Sequence, residues 1–228
     1  MDFQDEDEEK QVCFYTPKYG YNSLYSTGFD DHSLLGSNFL QFRPDKIIFW
    51  TSEFGIISGI QTWFRNIINN NYIHSGEHKG LNSKYKHIFN INATDYLIKC
   101  RIWKENDYIS KIYLETNQGK TFEIGINEGN EIPIECLNYG NKIIISFLGN
   151  YKNNLESLGL HLVEKKDYMR VMFTGYFELK KVLKNEKKRE NYLNKINKKQ
   201  YRFEEEAILR TCMLPNNPFN EVMKYCIF

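Results

Sequence analysis

The sequence predicts an all-β body followed by an α-helical extension, and three observations carry that expectation. Alternation of period two recurs between turn residues along positions 12–163. A short aliphatic motif returns about every fifty residues. From about Met169 the pattern becomes helical and rich in Lys, Asn and Glu. The 228 residues, 41% hydrophobic and 15% aromatic, suffice for a sizeable core. Thirty basic against twenty-nine acidic side chains leave a net charge of +1, which excludes a protein that seeks polyanions through bulk charge. No apolar run is long enough to cross a bilayer as a helix.

Taken in order, residues 1–11 form an acidic leader (Asp2, Asp5, Glu6, Asp7, Glu8, Glu9). It lacks the positive charge or long apolar stretch of a targeting signal, so a cytoplasmic location is expected. The five cysteines (Cys13, Cys100, Cys136, Cys212, Cys226) form no CxxC pair, which fits reduced thiols. The sequon Asn92-Ala93-Thr94 is then expected to stay unused. About ten strands are expected over residues 12–163, at the spacing of an all-β domain. In Ile98–Ile102 the apolar side chains fall on one face and Lys99 and Arg101 on the other. Ile143, Ile145 and Phe147 alternate with Ile144, Ser146 and Leu148, a strand buried on both faces. Asn117-Gln118-Gly119 joins two runs as a hairpin, and Gly125–Gly129 and Asn138–Asn141 are further turns. Glu164-Lys165-Lys166-Asp167 marks the boundary with the extension.

The repeat carries the most topological information. Ile57-Ser58-Gly59-Ile60, Ile109-Ser110-Lys111-Ile112 and Leu155-Glu156-Ser157-Leu158 each open an alternating strand. Three units of about fifty residues suggest a pseudo-threefold β architecture.

Several ordered blocks resemble the jacalin-related lectins. Gly28-Phe29-Asp30-Asp31 is similar to the family's Gly-x-Phe-Asp-Asp opening, and Gly55–Phe64 to its I-x-S-I-Q strand. Tyr108–Thr121 resembles the stretch that ends in T-N-x-G-x-T. Ile144–Gly149 followed by Leu155–Leu160 resembles its last strand pair. The resemblance spans residues 20–163 and implies the β-prism I fold, three four-stranded antiparallel sheets about a pseudo-threefold axis. It also implies a sugar site at one end, built by a Gly-x-x-x-Asp loop before the last strand and an N-terminal glycine-rich turn. The carboxylate accepts hydrogen bonds from sugar hydroxyls while backbone N–H groups donate to others. Here the matching loop is Lys152-Asn153-Asn154-Leu155-Glu156. Lysine replaces glycine, so its Cβ is expected to obstruct the turn, and glutamate replaces aspartate. Tyr21–Thr27 stands where glycines cluster in the family. The candidate carbohydrate-binding residues are Glu156, Asn153, Asn154, Tyr21 and Asn22.

Other chemical signals are weak. His74-Ser75-Gly76-Glu77-His78 spells H-x-x-E-H, but metal chemistry on that string needs a helix, and Gly76 and Gly80 point to a loop. His32, His87 and His161 have no ligand-like spacing. No phosphate loop, nucleophile elbow or Cys–His pairing is found, so neither an enzyme nor a cofactor or metal is expected.

The extension, residues 164–228, has no counterpart in the family. Between Glu178 and Arg202 ten basic residues face three acidic ones, a local charge of about +7. Lys180, Lys181, Lys184, Lys187, Lys188 and Arg189 lie on an expected helix with a narrow apolar stripe. A last short helix carries Phe219, Tyr225 and Phe228. These are the candidate partner-binding residues, directed at other proteins of a larger complex or at an acidic surface such as that of tubulin. Nucleic acid lacks supporting motifs. The sequence therefore suggests a non-enzymatic structural or protein-interaction subunit of a large intracellular assembly, ciliary or cytoskeletal. The alternative is a lectin recognising mannose- or galactose-type glycans.

Overall fold

The computed structural model describes residues 13–21, 23–69, 71–92, 95–127, 129–131 and 141–171. The chain divides into two compact units, Met1–Gly175 and Tyr176–Phe228. The second lies outside the described residues, and with it the expected basic helix and terminal segment. The acidic leader and the Asn138–Gly140 part of an expected turn also fall outside them.

Fourteen strands occur among the described residues, in three Greek-key groups. The chain opens with β1 (Cys13–Tyr15), β2 (Tyr19–Gly20) and β3 (Thr27–Asp30), followed by 3-10 turns at Asp31–Leu34 and Gly36–Gln41. Next come β4 (Phe42–Thr51), β5 (Ile57–Asn66), β6 (Tyr72–His74), β7 (His78–Lys79) and β8 (Tyr85–Asn90). The third group is β9 (Leu97–Glu105), β10 (Tyr108–Thr116), β11 (Thr121–Gly125) and β12 (Asn130–Glu131). The chain then returns to the first group with β13 (Lys142–Tyr151) and β14 (Leu155–Glu164).

Every pairing among the described residues is antiparallel. In the first sheet β3 lies beside β13, β13 beside β14, and the interrupted edge formed by β1 and β2 beside β14. The second sheet runs β8, β4, β5, with β6 and β7 sharing its other edge. The third runs β12, β9, β10, β11. One bridge, Ile144 opposite Leu97, links the first and third sheets. The three sheets are those of the expected β-prism.

The repeat motif has a structural meaning, because Ile57, Ile109 and Leu155 stand at the start of the second strand of the three inner hairpins. These hairpins turn Ile47, Phe49, Ile60, Ile102, Ile112, Leu114, Phe147 and Leu158 into one shared core. Full burial of each such side chain is worth roughly 1.5–3 kcal/mol. The Asn117–Gly119 hairpin forms as expected, with Gly119 at φ +78° and its N–H donating to the Thr116 carbonyl.

Two expected alternations break at β-bulges. On β9, Cys100 and Ile102 enter the core while Arg101 is exposed, but Leu97 takes the inward place expected of Ile98. The register passes from Lys99 opposite Glu115 to Leu97 opposite Thr116, so Ile98 is the extra residue and the parity changes. On β13, Ile145 is the extra residue between Ile144 and Ser146. Phe147 therefore joins Ile144 in the central core, whereas Ile143 and Ile145 join Val163 and Tyr168 in a second, smaller cluster. Residues 165–171 are helical, and Tyr168 and Met169 close that cluster. The first helical turns thus belong to the β body.

Candidate functional site

The three repeat motifs place one polar residue each at equivalent points of the prism: Ser58, Ser110 and Glu156, all buried. Their surroundings repeat as well. The carbonyl of each accepts a backbone hydrogen bond from the residue that follows an outer strand of its sheet: from Gly80 to Ser58 at 2.7 Å, from Ile126 to Ser110 at 2.8 Å and from Tyr21 to Glu156 at 2.9 Å. At each point a glycine permits close approach of the two backbones. Gly20 (φ +123°) lies so close that an added Cβ would stand 2.2 Å from the Glu156 carbonyl oxygen. Only the first sheet carries a carboxylate at this position; the other two carry hydroxyls.

Glu156 is only 8% exposed, and its Oε2 is shielded from solvent with no hydrogen-bond partner among the described residues. A buried carboxylate oxygen without a donor is costly. Beside it the β13–β14 hairpin turns at Lys152–Asn154, where the Lys152 N–H donates to the Asn154 carbonyl at 3.1 Å. A register shift between Asn150 and Tyr151 re-aims the hairpin. The expected obstruction by Lys152 is not found. Asn106 is the one non-glycine residue at positive φ among the described residues, so Lys152 takes an ordinary backbone conformation and its Cβ is tolerated.

Opposite the hairpin stands the segment from Gly20 to Gly28. The Ser26 N–H and hydroxyl both donate to the Ser23 carbonyl, and the Ser23 hydroxyl accepts from the Tyr25 N–H, which fixes a tight turn without glycine. Asn150 ties this wall to the hairpin. Its Nδ2 donates to the Ser26 hydroxyl at 3.1 Å, and its Oδ1 accepts from the Lys18 ammonium at 2.8 Å. Sequence reasoning missed a third wall, the loop Gly80–Lys84. The N–H groups of Leu81 and Asn82 donate to the carbonyls of Lys152 and Asn153, and Asn82 Nδ2 donates to Asn154 Oδ1 at 3.2 Å. The available signal was Gly80, where a Cβ would meet the Asn153 carbonyl oxygen at 2.3 Å.

Of the residues expected to contact sugar, the structure gathers Glu156, Asn153, Asn154 and Tyr21 at one end of the prism; Asn22 lies outside the described residues. Asn153 is exposed, and Asn154 is half-buried and engaged by Asn82. Around them Tyr21, Leu24, Tyr25 and Leu81 form an exposed apolar rim, with the Lys152 ammonium 5.3 Å above the Tyr25 ring. The H-x-x-E-H string is extended. His74 ends β6 and packs against Trp63, whereas His78 in β7 bonds to the buried Asp31 at 2.7 Å. Its two histidines therefore serve different neighbours.

Three interlocked Greek-key sheets with a polar loop cluster at one end define a β-prism of the lectin type. The family model for the jacalin-like lectin domain matches residues 26–161, and the chain belongs to that family. A mannose-binding jacalin-related lectin from Ananas comosus superposes with a TM-score of 0.50 at 16% identity, covering 67% of this chain and 99% of that one. Frutapin, a lectin from Artocarpus incisa, gives 0.52 at 16% identity, with 66% and 96% covered. Single-chain recombinant jacalin gives 0.53 at 18% identity, with 69% and 99% covered. At such identities the likeness establishes the fold alone. No curated protein matches the chain.

Proposed function

We propose that this domain binds a carbohydrate at the end of the prism formed by Gly20–Gly28, Gly80–Lys84 and the Lys152–Glu156 hairpin. One observation carries the reading. Of three equivalent buried positions, only Glu156 bears a carboxylate, and its Oε2 lacks a donor among the described residues. Sugar hydroxyls are donors of the kind it lacks. The exposed rings of Tyr21 and Tyr25 offer negatively polarised faces to the C–H surface of a pyranose. Membership of a lectin family and the mannose ligand in the name of the Ananas comosus neighbour support the same reading. Because Oε2 is shielded from solvent, binding requires the surrounding loops to yield. No catalytic step is part of this function.

Calorimetric titration of the full chain with methyl α-mannoside and galactose, together with a glycan array, tests the proposal. Saturable binding that Glu156→Gln weakens at least tenfold supports it. Absence of binding to every glycan, or binding unchanged in Glu156→Gln, overturns it.

A second reading rests on the local charge of about +7 between Glu178 and Arg202. In it the chain is a protein-interaction subunit of an intracellular, ciliary or cytoskeletal assembly, held by its basic segment. Partners that co-purify with the full chain and are lost when it ends at Asp167 support this role; an unchanged set of partners contradicts it. The described helical residues show nothing long and apolar enough to cross a membrane.

A further inference from the structure

On the first sheet, away from Glu156, three residues from distant parts of the chain meet. Cys13 comes from β1, His161 from β14, and His32 from the 3-10 turn that follows β3. The Cys13 Sγ lies 3.9 Å from Nδ1 of His161, and one donor atom from each of the three residues lies within 4.8 Å of the others. We propose that Cys13, His32 and His161 bind one zinc-type divalent cation, with the fourth position left to water or an incoming ligand.

The donor set suits a borderline-soft ion that takes thiolate and imidazole in tetrahedral geometry. With metal–sulfur and metal–nitrogen bonds of about 2.3 and 2.0 Å, neighbouring ligand atoms stand about 3.5 Å apart. The observed sulfur–nitrogen separation is within half an ångström of that. His32 has the larger movement to make. Its ring stacks on His161 at 4.5 Å with 19° between planes, and it must tilt to aim a lone pair at the shared ion. Its Nδ1 is shielded from solvent and has no hydrogen-bond partner among the described residues, so none of their bonds opposes the tilt.

Orientation of the ligands is already provided. Asp30 Oδ1 accepts from Nε2 of His161 at 2.9 Å. A carboxylate in that role fixes the proton on Nε2 and leaves the Nδ1 lone pair toward Cys13, the arrangement of carboxylate–histidine–metal triads. The same oxygen accepts from the backbone N–H of His32 at 2.9 Å and caps the turn that presents that ring. One aspartate thus positions two of the three ligands. Burial lowers the pKa of both imidazoles below the ordinary value. Burial, with Asp30 nearby, raises the Cys13 thiol to about 11, so ion binding releases its proton to solvent. The bound ion would fasten β1 to β14 and to the turn after β3.

The test is cobalt titration of the reduced, chelator-treated full chain, followed by displacement with zinc. The expected result is one equivalent of cobalt with a thiolate-to-cobalt charge-transfer band and tetrahedral visible absorption, both removed by zinc. Cys13→Ser abolishes the charge-transfer band, while a chain with Cys136, Cys212 and Cys226 replaced by serine keeps it. Asp30→Asn weakens affinity by about 10–100-fold, as removal of an outer-shell partner does. If Cys13→Ser misfolds by circular dichroism, His32→Asn decides: its expected outcome is at least tenfold weaker cobalt binding with altered visible bands. Absence of a charge-transfer band at one equivalent overturns the proposal. So does a band that survives in folded Cys13→Ser, or cobalt binding unchanged in His32→Asn.

Discussion

Strand β14 carries two buried titratable side chains five residues apart, Glu156 and His161, and they are treated in opposite ways. Glu156, at its start, leaves Oε2 with no donor among the described residues. His161, further along, is only 6% exposed, yet Asp30 fixes its Nε2 and its other nitrogen faces a thiol. The first arrangement is unfinished within the protein and suits a neutral hydroxyl-rich ligand. The second is finished on one side and open toward a cation. The difference shows that one strand can serve two chemistries when its neighbours differ. Backbone from Gly20 and Tyr21 pairs with the Glu156 main chain, whereas side chains from β1 and the turn after β3 flank His161.

The largest perturbation removes both sites together. Phe147 is fully buried where the three sheets meet, so Phe147→Ala should cost about 3–5 kcal/mol in urea denaturation. Loss of only one site in that variant would show that the two do not share a scaffold. Zinc at a hundredfold excess over its dissociation constant should raise stability by about 2.7 kcal/mol. Calorimetric melting of wild type and Cys13→Ser, with and without chelator, separates this effect from nonspecific binding, because only wild type should respond. Gly20→Ala places a Cβ against the Glu156 carbonyl at positive φ. It should cost about 1–3 kcal/mol and weaken glycan binding while leaving the cobalt spectrum unchanged. The smallest effect is expected of Glu156→Gln. Replacing a carboxylate whose Oε2 has no partner among the described residues should raise the denaturation midpoint, by about 1 kcal/mol of stability, while glycan affinity falls. A fall in both would mean that Glu156 has a structural partner.

What the sequence revealed follows from how local each feature is. The three hairpins were legible because alternation and turn glycines lie within a few residues of each other. The hairpin that carries Glu156 was legible because its residues are contiguous. The bulges at Ile98 and Ile145 were hidden, since an extra residue leaves composition unchanged and shows only in the partner strand's register. Lys152 misled in the other direction: the hairpin closes with ordinary dihedrals, so a missing glycine did not mean a blocked turn. The wall at Gly80–Lys84 and the cluster of Cys13, His32 and His161 are products of tertiary pairing. The last three lie far apart in the chain, and neither residue spacing nor hydropathy brings them together.

The first sheet is assembled from both ends of the domain, with β1, β2 and β3 taking their partners from β13 and β14. During synthesis those early strands must wait, edges unsatisfied, until Glu164 has left the ribosome. Pairing between such remote segments is intrinsically slow and leaves a nascent chain exposed to wrong partners. The chain therefore closes last where it began first, and a growing polypeptide of this family needs shelter longest at its own beginning.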